Sequence, residues 1–269
     1  MASGSVDAAP RTDPGALASA STPKISVIDV WKSFSGKEVL RGIGIDIVAG
    51  EALVIVGGSG AGKSVLLKHL IGLIQPDRGH IVVDGEDISR AGHSQALVIR
   101  RKFGMSFQEG ALFDSMNVFE NIAFPLRRHT SGSEAQIAAR VRECLALVHL
   151  EGVESKPTNQ LSGGMRRRVG FARAIALEPE ILLFDEPNTG LDPITSAVID
   201  RVIVEMKETL PVTMVIITHD MKSAFRIADR IAMLRDGQIL TIGAPDAFRA
   251  SPDAYVQKFL AGEPLEEES

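Results

Sequence analysis

Short apolar runs alternate with polar turns in the first part of the chain, and their lengths match those of β-strands. The strand-like runs are ISVIDV (25–30), GIDIV (44–48), ALVIV (52–56) and IVVDG (81–85). ALVIV is apolar throughout, which is typical of a strand buried on both faces. A helix is predicted from about Lys63 to Leu73, because Gln75, Pro76 and Asp77 follow it as a stop signal. These runs predict the strands of a sheet and a helix after the third strand.

The second part of the chain alternates between strand-like and helix-like segments. They are ILLF (181–184), VTMVIIT (212–218) and RIAML (230–234) for strands, and ITSAVIDRVIVEMKETL (194–210) and MKSAFRIAD (221–229) for helices. This alternation predicts a mainly parallel sheet with helices on its faces, an α/β fold. Residues from about 107 to 176 are mostly helical in pattern, with apolar residues at three- and four-residue intervals in 133–148. We therefore expect a helical insertion within an α/β core.

Composition narrows the class of protein. Apolar residues make up 45% of the 269 residues, which excludes disorder for most of the chain. The net charge of −5 argues against a nucleic-acid partner, and the basic clusters 166–168 and 100–102 are predicted to be solvated helix faces or subunit contacts. Cys144 is the only cysteine, so an internal disulfide is impossible, and its helical spacing predicts core packing. The apolar runs are too short to cross a bilayer, so any membrane role requires a separate chain.

The two ends of the chain differ in composition from the rest. Residues 1–23 are rich in Ala, Ser, Thr and Pro and lack the apolar stretch of a signal peptide, so they are predicted to be a disordered arm. Residues 246–269 are predicted to form a C-terminal helix and an acidic tail that ends in GEPLEEES. The segment 24–245 is predicted to be the main folded domain, in a reducing compartment.

GGSGAGKS (57–64) follows a strand and begins a helix, which is the context of a phosphate-binding loop. Its glycines allow several backbone N–H groups to face one phosphate, and the N-terminus of the helix adds to the positive field. We expect Lys63 to reach the β- and γ-phosphates and the Ser64 hydroxyl to coordinate Mg²⁺. The residues predicted to bind the nucleotide here are Gly57, Gly58, Ser59, Gly60, Ala61, Gly62, Lys63, Ser64 and Val65.

Two acidic residues follow the strand-like run ILLF. Asp185 ends this strand at the carboxyl edge of the sheet, where ligands bind in open α/β folds, and we expect it to contact Mg²⁺ through water. Glu186 is the next residue, and because neighbouring side chains on a strand diverge, it can address the attacking water instead. Glu186 is therefore predicted to be the general base of nucleotide hydrolysis.

LSGGM (161–165) precedes ILLFDEP (181–187) by about twenty residues, and the phosphate-binding loop lies upstream of both. In this order the motifs resemble those of the ATPase subunits of ABC (ATP-binding cassette) proteins, from about Ile25 to Gly243. The resemblance implies a P-loop ATPase fold with a mainly parallel RecA-like core sheet, an N-terminal antiparallel β part and a helical subdomain inserted at about 108–176. It also implies a second copy, because each signature segment of this family closes over the nucleotide held by the opposite subunit.

The resemblance assigns further residues to an ATP site. Gln108 matches the family's Q-loop glutamine, which senses Mg²⁺ and water, and His219 matches the switch histidine, which contacts the γ-phosphate. Asp192, in TGLDP, matches the loop that crosses between subunits. The signature residues implied to face the γ-phosphate of the partner subunit are Ser162, Gly163 and Gly164.

The adenine ring is expected to stack on an aromatic side chain, a contact worth about 1–3 kcal/mol. Phe34, in VWKSFSGK, matches the family's aromatic position by spacing, and Trp31 is the alternative. A tyrosine is commoner at this position in the family, but a phenylalanine ring offers the same kind of face.

Three classes of ABC protein compete for this sequence. An ABC ATPase of chromosomes or DNA ends would carry a long coiled-coil insertion, and none is visible between Ser64 and Leu161. An ABC protein of translation joins two cassettes, and 269 residues hold one. We therefore expect the ATPase subunit of a membrane transporter, bound to transmembrane permease subunits at the cytoplasmic face of the inner (plasma) membrane.

The segment QEGALFDSMNVFENIAFPLRRHT (108–130) lies where the ABC fold meets the coupling helix of the membrane subunit. It resembles the ATPases of Mla- and Mce-type lipid transporters, and GALFDSMNVFENIAFPLR is the most specific part. This resemblance implies phospholipid transport, with a small cytoplasmic accessory subunit and an Mce-type substrate-binding protein as partners. The alternative is an importer of amino acids or another small solute, whose ATPases share every catalytic motif.

Overall fold

The computed structural model describes residues 22–108 and 110–264. Residues 1–21 of the predicted N-terminal arm, and the acidic end of the chain after residue 264, lie outside the described residues. The predictions of a disordered arm and an acidic tail therefore remain predictions.

Two sheets organise the described part of the chain. The strands are β1 (Ile25–Phe34), β2 (Lys37–Ile47), β3 (Ala52–Val56), β4 (Arg78–Val83), β5 (Glu86–Asp87), β6 (Phe103–Ser106), β7 (Ile181–Asp185), β8 (Thr213–Ile217), β9 (Arg230–Arg235) and β10 (Gln238–Gly243). The smaller sheet is antiparallel, in the order β2-β1-β4-β5, and the larger has the order β10-β9-β3-β8-β7-β6. In the larger sheet, neighbours from β9 to β6 are parallel and β10 is antiparallel to β9, so the predicted mainly parallel core is confirmed.

Helices cover the faces of the larger sheet and form the insertion. Among the described residues they are α1 (Lys63–Leu70), α2 (His93–Arg100), α3 (Val118–His129), α4 (Glu134–Leu147), α5 (Gly163–Ile175), α6 (Pro193–Thr209), α7 (Met221–Ile227), α8 (Pro245–Arg249) and α9 (Ala254–Ala261). α3, α4 and α5 pack on one another and lie in sequence between the paired strands β6 and β7, which confirms the helical insertion. None of these helices is long and apolar enough to span a membrane.

The parallel sheet is buried on both faces, because successive side chains of a strand point to opposite sides. Leu53 and Ile55 of β3 belong to the core shared with the antiparallel sheet and α1. Val54 and Val56 belong to the core shared with the inserted helices, α6 and α7. All four side chains are at most 1% exposed. The prediction of a strand that is buried on both faces is therefore confirmed. The carboxyl end of β3 therefore emerges between two cores.

Polar side chains cap the N-termini of α3, α4 and α6 and so determine where these helices begin. Asn117 and Glu120 form a capping box at the start of α3, and Ser133 and Gln136 form another at the start of α4. Asp192 caps α6 by accepting two backbone N–H groups. Each cap satisfies donors that the first helical turn leaves free, and so defines the end of the preceding loop.

The structure corrects two helix predictions. α1 ends at Leu70 rather than at about Leu73, because Gly72 adopts a left-handed backbone (φ 65°) and a Cβ there would be 2.8 Å from a neighbouring side chain. α2 is not predicted by the apolar pattern, because only Ala96 and Ile99 of this helix are buried. A helix with so few core positions has a weak apolar periodicity in its sequence.

The predicted C-terminal helix is two helices, α8 and α9. Phe248 of α8 is 2% exposed, and Val256 of α9 is fully buried. Both belong to the core that contains α6 and α7. The end of the described chain is therefore anchored on the same core as the α/β domain.

Cys144 lies on α4 and is fully buried in the core of the inserted helices. Burial raises the pKa of its thiol to about 11, so the thiol stays protonated at neutral pH. The predicted packing role of this cysteine is confirmed.

Candidate active site

The chain turns from the end of β3 directly into the glycine loop that precedes α1. Gly57 lies against β9, where a Cβ would be 2.2 Å from the carbonyl oxygen of Leu234. Gly62, the last residue before α1, has φ of 102°, and a Cβ there would be 2.9 Å from the carbonyl oxygen of Val39. The fold therefore requires glycine near both ends of the loop, as the motif predicts.

The glycine loop lines an open cavity of about 880 Å³. Every residue from Gly57 to Val65 contributes to this lining, so the structure brings together all nine loop residues predicted to bind nucleotide. Gln108, Glu186 and His219 line the same cavity from the chain segments that follow β6, β7 and β8. The cavity lies where the carboxyl ends of the parallel strands meet, as expected for a ligand site in an open α/β sheet.

Lys63 extends along the glycine loop, where its side chain is largely buried. Its ammonium donates to the carbonyl oxygens of Gly57 at 2.8 Å and Gly58 at 2.9 Å. Burial lowers the pKa of this ammonium, and the carboxylates of Glu186 and Asp185 act in the opposite direction. A cation held on the loop at the head of a helix is suited to binding phosphate.

Ser64 and Asp185 meet between the start of α1 and the end of β7. The Ser64 hydroxyl donates to Asp185 Oδ1 at 3.2 Å. Burial raises the pKa of the Asp185 carboxyl, and the hydrogen bond from Ser64 acts against this rise. A hydroxyl and a carboxylate in contact offer oxygen ligands of the kind that Mg²⁺ prefers, so the pair fits the predicted metal site.

Glu186 and His219 are in direct contact, although the sequence carries no signal for this pairing. His219 Nδ1 donates to Glu186 Oε2 at 2.7 Å, and Thr189 Oγ1 donates to the same oxygen at 3.0 Å. The Glu186 side chain is 17% exposed, whereas that of His219 is 61% exposed. The contact therefore joins a sheltered candidate base to a more exposed residue that orients it.

The catalytic loop, defined here as Glu186–Thr189, is held through its backbone. The Glu186 N–H donates to the carbonyl oxygen of Ile217 in β8 at 2.9 Å. The guanidinium of Arg167, on α5, donates to the carbonyl oxygens of Glu186 at 2.9 Å, Pro187 at 2.5 Å and Thr189. The prediction of a solvated helix face or a subunit contact at 166–168 is therefore wrong for Arg167, which is buried within its own chain and binds these backbone carbonyls.

A buried polar network links this loop to α6 and α7. Asn188 Nδ2 donates to Asp200 Oδ1 and to Ser223 Oγ, both at 2.6 Å, and Ser223 Oγ donates to Asp200 Oδ2 at 3.1 Å. Arg226 pairs with the same buried carboxylate at 2.9 Å, which compensates its charge. Because Ser223 lies in the first turn of α7, the network connects the two segments that carry the glutamate and the histidine.

The signature segment does not reach the cavity of its own chain. Ser162 caps α5 and accepts a backbone N–H at 3.2 Å, and Gly164 packs against α6, where a Cβ would be 2.5 Å from the Thr195 side chain. The described residues that line the cavity include neither the signature residues nor Asp192. Asp192 caps α6, and hydrogen bonds from Thr195 lower the pKa of its carboxyl.

Phe34, the predicted adenine-stacking residue, is the last residue of β1 and is 44% exposed. Lys32 Nζ lies 5.5 Å from the centre of its ring, and Phe34 is not among the described residues that line the cavity. Trp31, the alternative, donates its indole N–H to Asp29 at 2.7 Å and has the guanidinium of Arg78 over its ring. A cation lies over each ring and neither residue lines the cavity, so the assignment of adenine stacking to Phe34 remains a prediction from sequence spacing.

The cavity is also lined by residues that no sequence motif assigns to a site. They are Val39, Thr189, Phe259, Gly262 and Glu263. The last three belong to α9 or follow it directly, so the C-terminal helix approaches the glycine loop. No local motif signals this approach, because it depends on how α9 packs against the core.

The comparisons with known proteins agree with this site. The sequence model of the ABC transporter family matches residues 40–189, more than half of the chain, and these residues contain the glycine loop, LSGGM and Glu186. The chain therefore belongs to the ABC transporter family, binds ATP and is an ATPase.

Two relatives and one solved structure show what the chain is similar to. The probable ribonucleotide transport ATP-binding protein mkl of Mycobacterium leprae is 42% identical over 238 residues, 88% of this chain and 69% of that protein. The intermembrane phospholipid transport system ATP-binding protein MlaF of Escherichia coli K12 is 40% identical over 238 residues, 88% of each chain. A dimeric ATP-binding cassette, in a post-hydrolysis state with ADP and Pi, is 30% identical, with a TM-score of 0.74 over 82% of this chain and 98% of that chain.

Proposed function

We propose that this chain powers phospholipid transport through a separate transmembrane permease, in an Mla-type system at the cytoplasmic face of the inner (plasma) membrane. The observation that carries the proposal is its similarity to MlaF, a phospholipid transport ATP-binding protein, over 88% of both chains. The segment 108–130, which resembles that of Mla- and Mce-type ATPases, supports it. The proposal includes a small cytoplasmic accessory subunit and an Mce-type substrate-binding protein as partners.

In the proposed reaction, Lys63 and the backbone N–H groups of the glycine loop bind the β- and γ-phosphates of ATP. Ser64 and Asp185 would hold Mg²⁺, and Gln108, which lines the same cavity as Ser64, would contact it as well. When bound, Mg²⁺ neutralises charge on the phosphates. Glu186 accepts a proton from the attacking water, and His219 orients Glu186 through their hydrogen bond. These are the roles that the contacts at the cavity support.

We also propose that two copies act together. The signature residues lie outside the cavity of their own chain, so the N-terminus of α5 is available to another copy. A capped helix start with two glycines offers unhindered N–H donors to a phosphate. The dimeric cassette that is similar to this chain supports the pairing.

The permease surface, defined here as Phe113, Met116, Glu120, Phe124 and Arg127, is the proposed docking site for the membrane subunit. Phe113 and Phe124 are 43% and 40% exposed, and their ring centres are 5.1 Å apart. The other three residues and Phe124 line an adjacent surface pocket of about 440 Å³. An aromatic pair beside a pocket with a polar rim has the composition of a protein interface.

A buried asparagine holds the loop that presents this surface. Asn121 is fully buried, accepts the Phe113 N–H at 2.8 Å and donates to the carbonyl oxygens of Phe113 and Met116, each at 3.2 Å. Phe113 therefore lies on a loop that Asn121 binds to α3, the helix that carries Phe124.

We expect Phe113→Asp and Phe124→Asp to weaken assembly with the permease by about tenfold or more, because each would bury a charge at the contact. Binding of an ATP analogue should be unchanged, because both residues lie outside the nucleotide cavity. The measurement is the amount of permease that co-purifies with each variant. Phe119→Asp is unsuitable for this test, because Phe119 is half-buried against the core and its loss would damage folding.

The matched control is Val98→Asp, which introduces the same charge at an exposed apolar position on α2, where Val98 is 57% exposed. This variant should assemble as the natural chain does. Normal assembly of Phe113→Asp and Phe124→Asp would remove the permease surface from the proposal, as would an equal loss in Val98→Asp.

The transported substrate is tested on the complex purified from membranes. We expect the complex to contain bound phospholipid in addition to the lipids that surround any membrane protein. We also expect its ATPase rate to respond to the phospholipid composition of the membrane. The second candidate is an importer of a small solute, and the name of the mkl relative, which mentions ribonucleotide transport, keeps this class in the test. The importer would be supported if a soluble solute-binding protein activated the ATPase and the complex contained no specifically bound lipid.

A further inference from the structure

Arg167 is the buried member of three consecutive arginines on α5. It is 7% exposed, whereas its neighbour Arg166 is an exposed residue. Its guanidinium donates to carbonyl oxygens at both ends of the catalytic loop, those of Glu186 and Thr189. One side chain of α5 therefore supports the whole loop that carries the general base.

The catalytic loop needs this support because of its backbone conformation. Glu186 has φ of 50°, in the left-handed region that residues with a side chain rarely adopt. Such a conformation persists only where the surrounding structure holds it. The carbonyl oxygen of Glu186 itself accepts from Arg167, so the guanidinium acts on the strained residue. A planar guanidinium suits this task because it presents several N–H donors in fixed directions.

The beginning of α5 connects Arg167 to the signature segment. Ser162 caps this helix, and Arg167 follows about 7.5 Å further along the helix axis. The hydrogen-bonded backbone of a helix is stiff over this distance, so a shift of the first turn moves the guanidinium. The catalytic loop is bound to that guanidinium through its carbonyl oxygens and would move with it.

We propose that Arg167 is a positioning residue that holds Glu186 in its catalytic geometry and couples the two nucleotide sites of a pair. Closure of one chain's signature segment over its partner's nucleotide acts through α5 and Arg167 on the general base of that same chain. The coupling between copies rests on the proposed pairing, whereas the positioning of Glu186 within one chain does not.

Arg167→Lys tests the positioning of Glu186. Lysine keeps the charge but has a single donor nitrogen, whereas the guanidinium reaches the two ends of the catalytic loop with separate nitrogens, Nη1 at Glu186 and Nη2 at Thr189. In the assembled complex we expect kcat to fall by about tenfold or more, because a misplaced base loses its alignment with water. The affinity for an ATP analogue should stay within about twofold, because the glycine loop is untouched.

Arg140→Lys is the matched control, because Arg140 also binds backbone carbonyls with its guanidinium. It lies on α4 and donates to the carbonyl oxygens of Ile175 and Ala176, at the end of α5 far from the signature segment. This variant should show the natural kcat. A kcat that falls equally in both variants would overturn the proposal, because the effect would then belong to helix packing.

A double-mutant cycle with Glu186→Gln separates positioning from a general structural role. If Arg167 acts through Glu186, Arg167→Lys adds no further loss of kcat in the Glu186→Gln background. Equal losses in both backgrounds would overturn the positioning role. The positioning role would also be overturned if Arg167→Lys lowered the melting temperature and the nucleotide affinity together with kcat.

The coupling between copies is read from the dependence of the ATPase rate on ATP concentration. We expect Arg167→Lys to lower the Hill coefficient towards one, relative to both the natural chain and Arg140→Lys. An unchanged Hill coefficient in a variant with lowered kcat would overturn the coupling. Failure of the proposed pairing is distinguishable, because the natural chain itself would then show no cooperativity.

Discussion

Glu186→Gln is expected to abolish most ATP turnover in the assembled complex while ATP binding is retained. The amide keeps the size of the side chain and its carbonyl oxygen can still accept from Thr189, but it cannot take a proton from water. General base catalysis is typically worth about 10²–10⁴-fold, so we expect kcat to fall within that range. The measurements are kcat and the affinity for an ATP analogue.

Glu205→Gln is the matched control for this experiment. Glu205 also pairs with a histidine, since His149 Nε2 donates to its carboxylate at 2.5 Å, but this pair lies on α6 and the loop after α4, outside the nucleotide cavity. We expect Glu205→Gln to retain the natural rate. Near-normal turnover of Glu186→Gln in the assembled complex would show that Glu186 is not the general base.

A mixture of Lys63→Ala and Ser162→Arg chains is expected to recover ATPase activity that neither variant has alone. The two residues lie in different places in one chain, because Lys63 lines the cavity and Ser162 does not. If each composite site takes its phosphate loop from one copy and its signature segment from the other, a mixed pair contains one intact site. The measurement is the ATPase rate of complexes isolated with one variant of each kind.

Ser133→Arg is the control for the loss of a helix cap. Ser133 caps α4 as Ser162 caps α5, so Ser133→Arg removes a comparable cap without touching the signature segment. We expect this variant to be active alone. Mixed complexes no more active than the separate variants would argue against shared sites, given that one intact site suffices for turnover.

Local patterns predict the parts of the site that depend on few residues. The glycines of GGSGAGKS predict the tight conformation of the loop, because backbone carbonyl oxygens lie so close to Gly57 and Gly62 that neither position has room for a side chain. Asp185 and Glu186 follow an apolar strand, and the carboxyl end of such a strand lies at the ligand edge of the sheet whichever residues surround it. The order of the strands in the sheet is harder to predict from the sequence, because it depends on pairings between distant segments.

The contacts between these motifs could not be predicted from the sequence. The hydrogen bond from His219 to Glu186 depends on the parallel pairing of β7 and β8, whose side chains carry no register signal when both faces are apolar. Arg167 has arginines on both sides in the sequence, and only its place on the inner side of α5 distinguishes it from them. Phe259 lines the cavity because α9 packs nearby, and no sequence motif in α9 predicts this packing.

The strand order of the parallel sheet determines when the ATP site can form. β3 pairs with β8, about 160 residues later in the sequence. The ends of β3, β7 and β8 lead into the glycine loop, the proposed general base Glu186 and the proposed switch histidine His219. Closing so long a loop is entropically costly and is repaid only when both strands are present. A growing chain on the ribosome that has not yet released residues 213–217 therefore holds the complete GGSGAGKS and DEP motifs but no ATP site. Nucleotide binding can therefore stabilise the protein only after residues 213–217 have been made and have paired with β3.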